Sequence, residues 1–346
     1  MSSKIQVIGI GMLIHINLPT VLQMNNDPTY YDIAEKEALD LSKEYEDKKI
    51  KKVSPPFGYF GSKNKIALEL CSHLPPHFCW VETFCGSSSI TLAKKPAAIE
   101  IINDIDDEII NVFRQLRDNY EELNRAVALT PYARRELELA RIQNKDDSEL
   151  ERARKFLVQA MMAINGVFGE ARGGFSYSQS YSRDGKDARV NRWTKLPERL
   201  SKVVERLRHV RVENRDALEL ISMFQKRPAT LMYLDPPYLG KRTMGYNMEN
   251  NDVAYHEQML KLCLKSKSMV LISGYESELY TELLKEKKGW LKQTINTSTK
   301  DATGKSHARE EVLWMNKHFV KASKSGKVPI RLSRKELISN KLNPER

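Results

Sequence analysis

The tetrapeptide Asp235-Pro236-Pro237-Tyr238 closes the apolar run Leu231-Met-Tyr-Leu234 and holds residue types suited to gripping a planar amine. Two consecutive prolines remove backbone donors and keep the chain extended. The Asp235 carboxylate and the Pro236 carbonyl can then both point outward as acceptors, matching the two N–H donors of an exocyclic amine. Accepting both hydrogens keeps the nitrogen lone pair out of the ring and aims it at an electrophile, while Tyr238 offers a flat face for stacking. A strand-ending turn with Asp235 as a helix cap is the plainer reading of the same residues. The apolar run in front of them favours a site, because open α/β sheets bind ligands beyond the carboxyl ends of their strands.

Three other segments carry related chemistry: Pro56-Phe57-Gly58-Tyr59-Phe60-Gly61-Ser62-Lys63, Val81-Glu82-Thr83-Phe84-Cys85-Gly86-Ser87-Ser88-Ser89 and Asn103-Asp104-Ile105-Asp106. Gly86 lets a ligand approach the backbone closely, and the small serines after it leave room. Asp104 follows Glu82 by 22 positions, about the separation that puts a carboxylate on the ribose hydroxyls of a nucleoside cofactor in a Rossmann-like half. Taken singly, loop aspartates are mostly solvated or capping.

Together and in this order, the four segments resemble the Dam-like, D12-class adenine-N6 methyltransferases. Asp252-Val-Ala-Tyr-His256 and Ser306-His-Ala-Arg309-Glu310-Glu311-Val-Leu-Trp-Met-Asn316 are similar to later segments of that family, so the resemblance runs from about Val53 to Asn316. It departs from the family pattern at Thr83, where proline is usual, and at Ser88, where a second glycine is usual. The resemblance implies S-adenosylmethionine as cofactor, in a site formed by Tyr59, Phe60, Gly61, Lys63, Glu82, Phe84, Gly86, Asp104 and Asp216. In that site Glu82 takes the α-ammonium, Asp104 the ribose hydroxyls, and Asp216 lies near the adenine amine. Asp235, Pro236, Pro237 and Tyr238 form the implied catalytic set, acting on N6 of an adenine rotated out of double-stranded DNA. Adenine is preferred because cytosine-N4 enzymes of this fold usually carry serine where this chain has Asp235. No metal is implied. His256 reads as a structural histidine at a helix start rather than a general base.

The segments need a doubly wound α/β scaffold, and the pattern from Trp80 onward supplies one. A short strand leads into a Gly/Ser turn and a helix, then a strand Ile99-Glu-Ile-Ile102 and a helix with Ile109, Val112, Phe113 and Leu116 on one face. Between Glu121 and Arg189 the character changes to charged and apolar helical runs followed by a Gly/Ser/Tyr/Arg stretch. After Leu196 the α/β pattern resumes, with a helix to Leu207 and strands at Val210–Val212 and Leu231–Leu234. A helix near His256–Leu264 and strands at Met269–Ser273 and Glu311–Met315 follow. The expected fold is α/β: a Rossmann-like S-adenosylmethionine-dependent methyltransferase fold with an inserted, mainly helical target-recognition lobe. Its expected parts are an accessory extension (1–52), a catalytic domain (53–118 and 196–316), the inserted lobe (119–195) and a solvated basic tail (317–346). Ile5-Gln-Val-Ile followed by Gly9-Ile-Gly11 looks like part of a dinucleotide fingerprint, but Ile14 stands where the third glycine belongs.

Composition narrows the partner. With 56 Lys and Arg against 45 Asp and Glu, the 346-residue chain carries a net charge of +11 and attracts polyanions. No apolar run approaches the roughly 20 residues a membrane span needs, and a cytoplasmic, DNA-associated protein is expected. Its four cysteines, Cys71, Cys79, Cys85 and Cys263, lack zinc-ligand spacing and read as buried thiols. In the lobe, Arg172, Tyr177, Arg183 and Arg192, with Tyr181 among them, are the basic and aromatic residues expected to bind DNA, together with Asn165. A cognate restriction enzyme is compatible with the resemblance, and a monomer is expected. Two rival readings share the motifs: a methyltransferase acting on RNA or another planar amine, and a non-catalytic DNA-binding relic.

Overall fold

Among the described residues, seven strands form one sheet: β1 (Cys79–Glu82), β2 (Ile99–Asn103), β3 (Val210–Glu213), β4 (Thr230–Leu234), β5 (Met269–Gly274), β6 (Leu291–Lys300) and β7 (Ser306–Met315). Across the sheet they run β3-β2-β1-β4-β5-β7-β6. The first five pair in parallel, and β7 is antiparallel to both β5 and β6. The computed structural model describes residues 52–59, 61–142, 144–164, 173–177, 185–239, 253–300 and 306–329. All of them belong to the unit Leu41–Arg331, the other unit being Met1–Asp40 with Leu332–Arg346.

The central strands β1, β4 and β5 are buried at every position. That is why they read as continuous apolar runs rather than as alternating ones. Leu231 and Tyr233, Met269 and Leu271, and Leu313 and Met315 each share a strand face, and they join Trp80, Leu70 and Phe319 in one core cluster. The other large cluster gathers Ile102, Ile109, Phe113, Phe156, Leu157, Leu196 and Leu200. From β1 the chain goes outward to β2 and β3 and then returns to β4 on the other side. The crevice beyond the carboxyl ends of β1 and β4 is therefore the topological switch point.

Helices fix the strand ends. The first two are α1 (Ala67–Ser72) and α2 (Asp107–Asp118). Asp106 caps α2 by accepting from the Glu108 N–H at 2.9 Å, and the helix buries Ile109, Ile110, Val112, Phe113 and Leu116, each worth about 1.5–3 kcal/mol. Then come α3 (Tyr120–Leu129), α4 (Arg134–Ala140), α5 (Glu149–Met162), α6 (Ala188–Thr194) and α7 (Leu196–Leu207). The start of α5 has the Ser148-x-x-Glu151 capping pattern, with Ser148 Oγ accepting from the Glu151 N–H at 3.2 Å. The last four are α8 (Ala217–Phe224), α9 (Val253–Lys265), α10 (Glu278–Leu283) and α11 (Lys317–Ser325). No helix among the described residues is long and apolar enough to cross a membrane.

Several features differ from the sequence reading. The expected helix after β1 is an irregular run of turns. Leu92 and Lys94 donate to the carbonyls of Ser88 and Ile90 at 3.0 and 2.9 Å, but Gly86 and Ser88 have φ of 47° and 54°, which regular helix does not allow. The strand β6 had no counterpart in the sequence reading, and it pairs with β7 along its whole length. The expected solvated tail begins with α11, whose Phe319 and Ala322 are buried on the sheet. Asn316 anchors that helix: its Oδ1 accepts from Phe319 N–H at 3.0 Å and from Val270 N–H at 3.1 Å, and its Nδ2 donates to Ser268 O at 2.9 Å. Helices of the interval 119–195 share a core with α2 and α7. Residues 1–51, with the fingerprint-like Gly9–Gly11, lie outside the described residues.

Candidate active site

A pocket enclosing about 710 Å³, open mouth included, lies at the switch point. Its wall includes Tyr59, Gly61, Lys63, Glu82, Phe84, Gly86, Asp104, Asp235 and Pro237. Phe60 lies outside the described residues. Asp216 stands apart from the wall. It caps α8 by accepting from the Leu218 N–H at 2.8 Å, and the Tyr255 hydroxyl donates to it at 2.9 Å. Sequence reasoning missed Ser62, Cys85, Ile90, Ile105 and Tyr233 in the same wall.

Glu82, at the end of β1, is 2 % exposed. Its Oε2 takes three bonds, from Ser88 Oγ at 3.0 Å, Thr91 N–H at 3.3 Å and Thr91 Oγ1 at 2.5 Å. Burial pushes its pKa up to about 7 against the pull of these donors, and the Asp235 charge adds to the rise. Thr91 also accepts from Trp80 Nε1 at 2.7 Å, and its carbonyl accepts from Arg206 at 2.8 Å. Arg206 and Lys94 in turn clamp the buried Glu100 at 2.5 Å each, so Glu82 rests on a buried polar network.

Asp104 follows β2, and both of its oxygens are engaged: Oδ2 accepts from Gly86 N–H at 2.8 Å and Oδ1 from Asp106 N–H at 3.1 Å. Burial raises its pKa to about 6 in spite of these amides. The carboxylate thus latches the turn after β1. Gly86 is needed there for space, since a β-carbon would lie 2.8 Å from the Tyr59 ring. Ser62 Oγ ties the same turn to the Tyr59–Lys63 segment through Ser89 Oγ at 2.7 Å and Ser87 Oγ at 3.1 Å. At the two departures from the family pattern, Thr83 N–H donates to Tyr233 O at 3.0 Å, a bond proline lacks, and Ser88 adopts a glycine-like φ of 54°.

Across the pocket, Lys63 Nζ donates to both oxygens of Asp235 at 2.7 Å. The same ammonium stands 2.6 Å from Tyr238 OH and 3.5 Å from Glu311 Oε1. Burial acts against the ammonium, but Asp235 and Glu311 outweigh it and raise the Lys63 pKa. Ser273 Oγ donates to Asp235 Oδ1 at 3.0 Å. Tyr238 OH donates to Glu311 Oε1 at 2.9 Å, and its ring lies 4.3 Å from that of Tyr275. Pro236 is buried and is not among the wall residues. His256 is buried in α9, with Nδ1 2.8 Å from Tyr280 OH, as a structural histidine would be. Cys79, Cys85 and Cys263 are buried thiols and Cys71 is half-buried.

Of the residues expected to bind DNA, Asn165, Arg172 and Arg183 lie outside the described residues. Tyr177 is 71 % exposed, and Arg192 projects from α6 toward the cofactor-side segment, 3.4 Å from where a Gly58 β-carbon would stand. The segment holding Tyr177 is pinned to the lobe. Ile164 and Ser176 N–H groups donate to Gly174 O at 3.0 Å and Met162 O at 2.7 Å, and Tyr132 OH donates to Ser176 O.

A parallel α/β sheet with an antiparallel β7, and a pocket with acids at the ends of β1, β2 and β4, define a Rossmann-like S-adenosylmethionine-dependent methyltransferase. The chain belongs to the D12 class N6 adenine-specific DNA methyltransferase family, whose model matches residues 59–299. Among solved structures, the chain is similar to a SAM-dependent methyltransferase from Agrobacterium tumefaciens (12 % identity, TM-score 0.33, 73 % of this chain and 59 % of that one). It is also similar to precorrin 8w decarboxylase from Methanobacterium thermoautotrophicum (8 %, TM-score 0.28, 73 % and 87 %). A candidate RNA methyltransferase from Pyrococcus horikoshii is a third (9 %, TM-score 0.32, 81 % and 94 %). Likeness this distant adds nothing to what the sheet order already says. No curated protein matches the chain in sequence.

Proposed function

We propose that the chain methylates N6 of a flipped-out adenine in double-stranded DNA. The observation that carries this reading is the Asp235 carboxylate at the end of β4, in the same pocket wall as the buried acids Glu82 and Asp104. S-adenosylmethionine, when bound, supplies a methyl group on a cationic sulfur, whose carbon accepts the amine lone pair as the carbon–sulfur bond breaks with its pair left on sulfur. The wall suits such a molecule: carboxylates for its positive charge and hydroxyls, and Phe84, Ile90 and Ile105 for its apolar parts. Glu82 would hold the α-ammonium, Asp104 the ribose, and Tyr59, Gly61 and Phe84 the remaining surface.

Asp235 accepts one N–H of the target amine and the Pro236 carbonyl the other, which holds the nitrogen lone pair on the line of attack. Lys63 and Ser273 fix the carboxylate for that task. Closure of the base over Asp235 excludes water and leaves orientation as the protein's main contribution. The interval 119–195 reads the DNA, with Arg192 and Tyr177 among its contacts and Arg172 as the residue expected to reach a base edge. The test is to express the chain in a methylation-free host and sequence the DNA by a method that reports N6-methyladenine in context. A recurrent methylated motif supports the reading, and unmodified DNA from cells holding folded protein overturns it.

A further inference from the structure

Glu311 lies on β7, in phase with the buried Leu313 and Met315 and only 4 % exposed. A carboxylate in that phase has to be satisfied from within. Its neighbours are Lys63 from the turn before α1, Asp235 and Tyr238 from the loop after β4, and the buried Tyr233 of β4. On its other side β6 presents Ile295, its register partner. The Tyr238 hydroxyl stands between two carboxylates, 2.9 Å from Glu311 Oε1 and 3.3 Å from Asp235 Oδ1. Among the described residues the cluster holds one cation, Lys63, and two acids, Asp235 and Glu311. Lys63 contacts both Asp235 oxygens at 2.7 Å but stays 3.5 Å from Glu311, so Glu311 is the less compensated carboxylate.

We propose that Glu311 receives the proton shed by the methylated amine, passed from Asp235 through the Tyr238 hydroxyl. The inference rests on the amine-methylating reading above. One N–H bond of the alkylated, positively charged amine breaks, its electron pair stays on nitrogen, and the proton bonds to an Asp235 oxygen. That proton moves to the Tyr238 oxygen as the phenol's own proton moves to Glu311. Asp235 and Tyr238 end as they began, Glu311 ends as a neutral acid, and nothing is oxidised or reduced. Glu311 is not in the pocket wall, so it acts through Tyr238 as a positioning residue for the proton. Burial, opposed by Lys63 and reinforced by Asp235, places its pKa at about 7, where a proton acceptor works well near neutrality.

The test uses the full chain, S-adenosylmethionine at saturation and plasmid DNA from a methylation-free host, with single-turnover methyl incorporation followed against pH. Saturation removes the pH dependence of cofactor binding. The wild-type rate should rise about tenfold per pH unit toward neutrality and then level. Glu311→Gln should be slower and flat over that range, Glu311→Asp should restore a slope, and cofactor affinity should hold in both. Infrared spectra taken below and above neutrality should show one fewer buried carboxylic acid titrating in Glu311→Gln. If that variant fails to fold, Tyr238→Phe, which keeps the ring and removes the bridging hydroxyl, should give the same flattened profile. Variants with a wild-type pH profile, whatever their rate, overturn the relay. A wild-type chain that methylates no DNA overturns the underlying reading instead.

Discussion

Lys63 and Asp235, 172 positions apart in sequence, meet with the lysine Nζ 2.7 Å from each carboxylate oxygen. This contact joins the Tyr59–Lys63 segment to the Asp235–Tyr238 tetrapeptide. It gives Lys63 a second role beside lining the pocket, since the proposed acceptor for the amine is held in place by this ammonium.

Asp235→Ala should abolish methyl incorporation while leaving S-adenosylmethionine affinity nearly unchanged, because the proposed role of Asp235 is to hold the substrate amine. Removing one partner of a buried pair costs about 3–5 kcal/mol, and the remaining Glu311 should keep the loss at the lower end. Calorimetric titration, a methylation assay and urea unfolding measure the three effects. Normal turnover would remove Asp235 from the chemistry, and an unchanged unfolding midpoint would show that the Lys63 contact contributes little.

Cofactor binding should be linked to proton release. Glu82 and Asp104 have pKa values raised to about 7 and about 6, and a cationic ligand favours their charged forms. Affinity should therefore climb as pH rises through that window and level above it, with protons released on binding near pH 6 to 7. The sign for stability is opposite. At Glu82, Asp104 and Glu311 the unliganded native chain holds more protons than the unfolded one between the ordinary carboxylate range and about 7, which makes stability fall as pH rises through this interval, against a smaller opposite contribution from His77, whose pKa burial lowers to about 3. Glu82→Gln should remove the upper part of the affinity trend and weaken that of the stability trend, where Glu311 remains. Calorimetry in buffers of different ionisation enthalpy reads the proton count, and a pH-independent affinity would contradict the assignment.

The acids now seen in one pocket wall could be picked out through the order of the four segments, since each taken singly also reads as a cap or a solvated loop residue. The partner of Lys63 could not be, since nothing local marks a contact made through the fold. Glu311 was placed at the start of the closing strand but given no role, and the available signal for its burial was its phase with Leu313 and Met315. The strand β6, Leu291–Lys300, has Leu291 and Ile295 as its only aliphatic side chains, so its threonines and its pairing with β7, rather than a hydrophobic pattern, make it a strand. Lysines hid α11, although Phe319 and Ala322 sit at helical spacing on one side. Asp216 matched a family position, and in the fold its Oδ1 caps α8 and accepts from Tyr255 outside the pocket wall.

Ser88 combines a cost and a gain. Its left-handed φ of 54° carries a penalty of about 1–2 kcal/mol for a residue with a β-carbon, and its hydroxyl donates to Glu82 Oε2 at 3.0 Å. Ser88→Gly loses the bond but sheds the strain, whereas Ser88→Ala loses the bond and keeps the strain. The alanine variant should thus be less stable than the glycine variant by about 1–2 kcal/mol. Both should raise the Glu82 pKa further and move the rise in cofactor affinity to higher pH. Chemical denaturation of the two variants side by side provides the comparison, and equal stabilities would show that the turn relaxes around position 88.

Asp104 serves the turn directly and is proposed to serve the ribose, and the two roles can be separated. Its oxygens accept from the Gly86 and Asp106 amides, so Asp104→Ala strands two buried donors, and each costs about 1–3 kcal/mol when left unpaired. Asp104→Asn can satisfy only one of them, because its amide nitrogen must face the other N–H, and it should therefore not rescue the turn. Both variants should lower stability, and both should weaken S-adenosylmethionine binding by about 1–3 kcal/mol. A loosened turn alone would weaken the binding of any ligand in the pocket by the same factor. Direct acceptance from the ribose hydroxyls would make the loss smaller for a cofactor analogue without those hydroxyls, since that analogue has no such bond to lose. The difference between the two losses is the coupling energy of a double-mutant cycle, with the ligand's hydroxyls as the second site. A value near zero would leave Asp104 as the latch of the Gly86 turn and move ribose recognition to another residue of the wall.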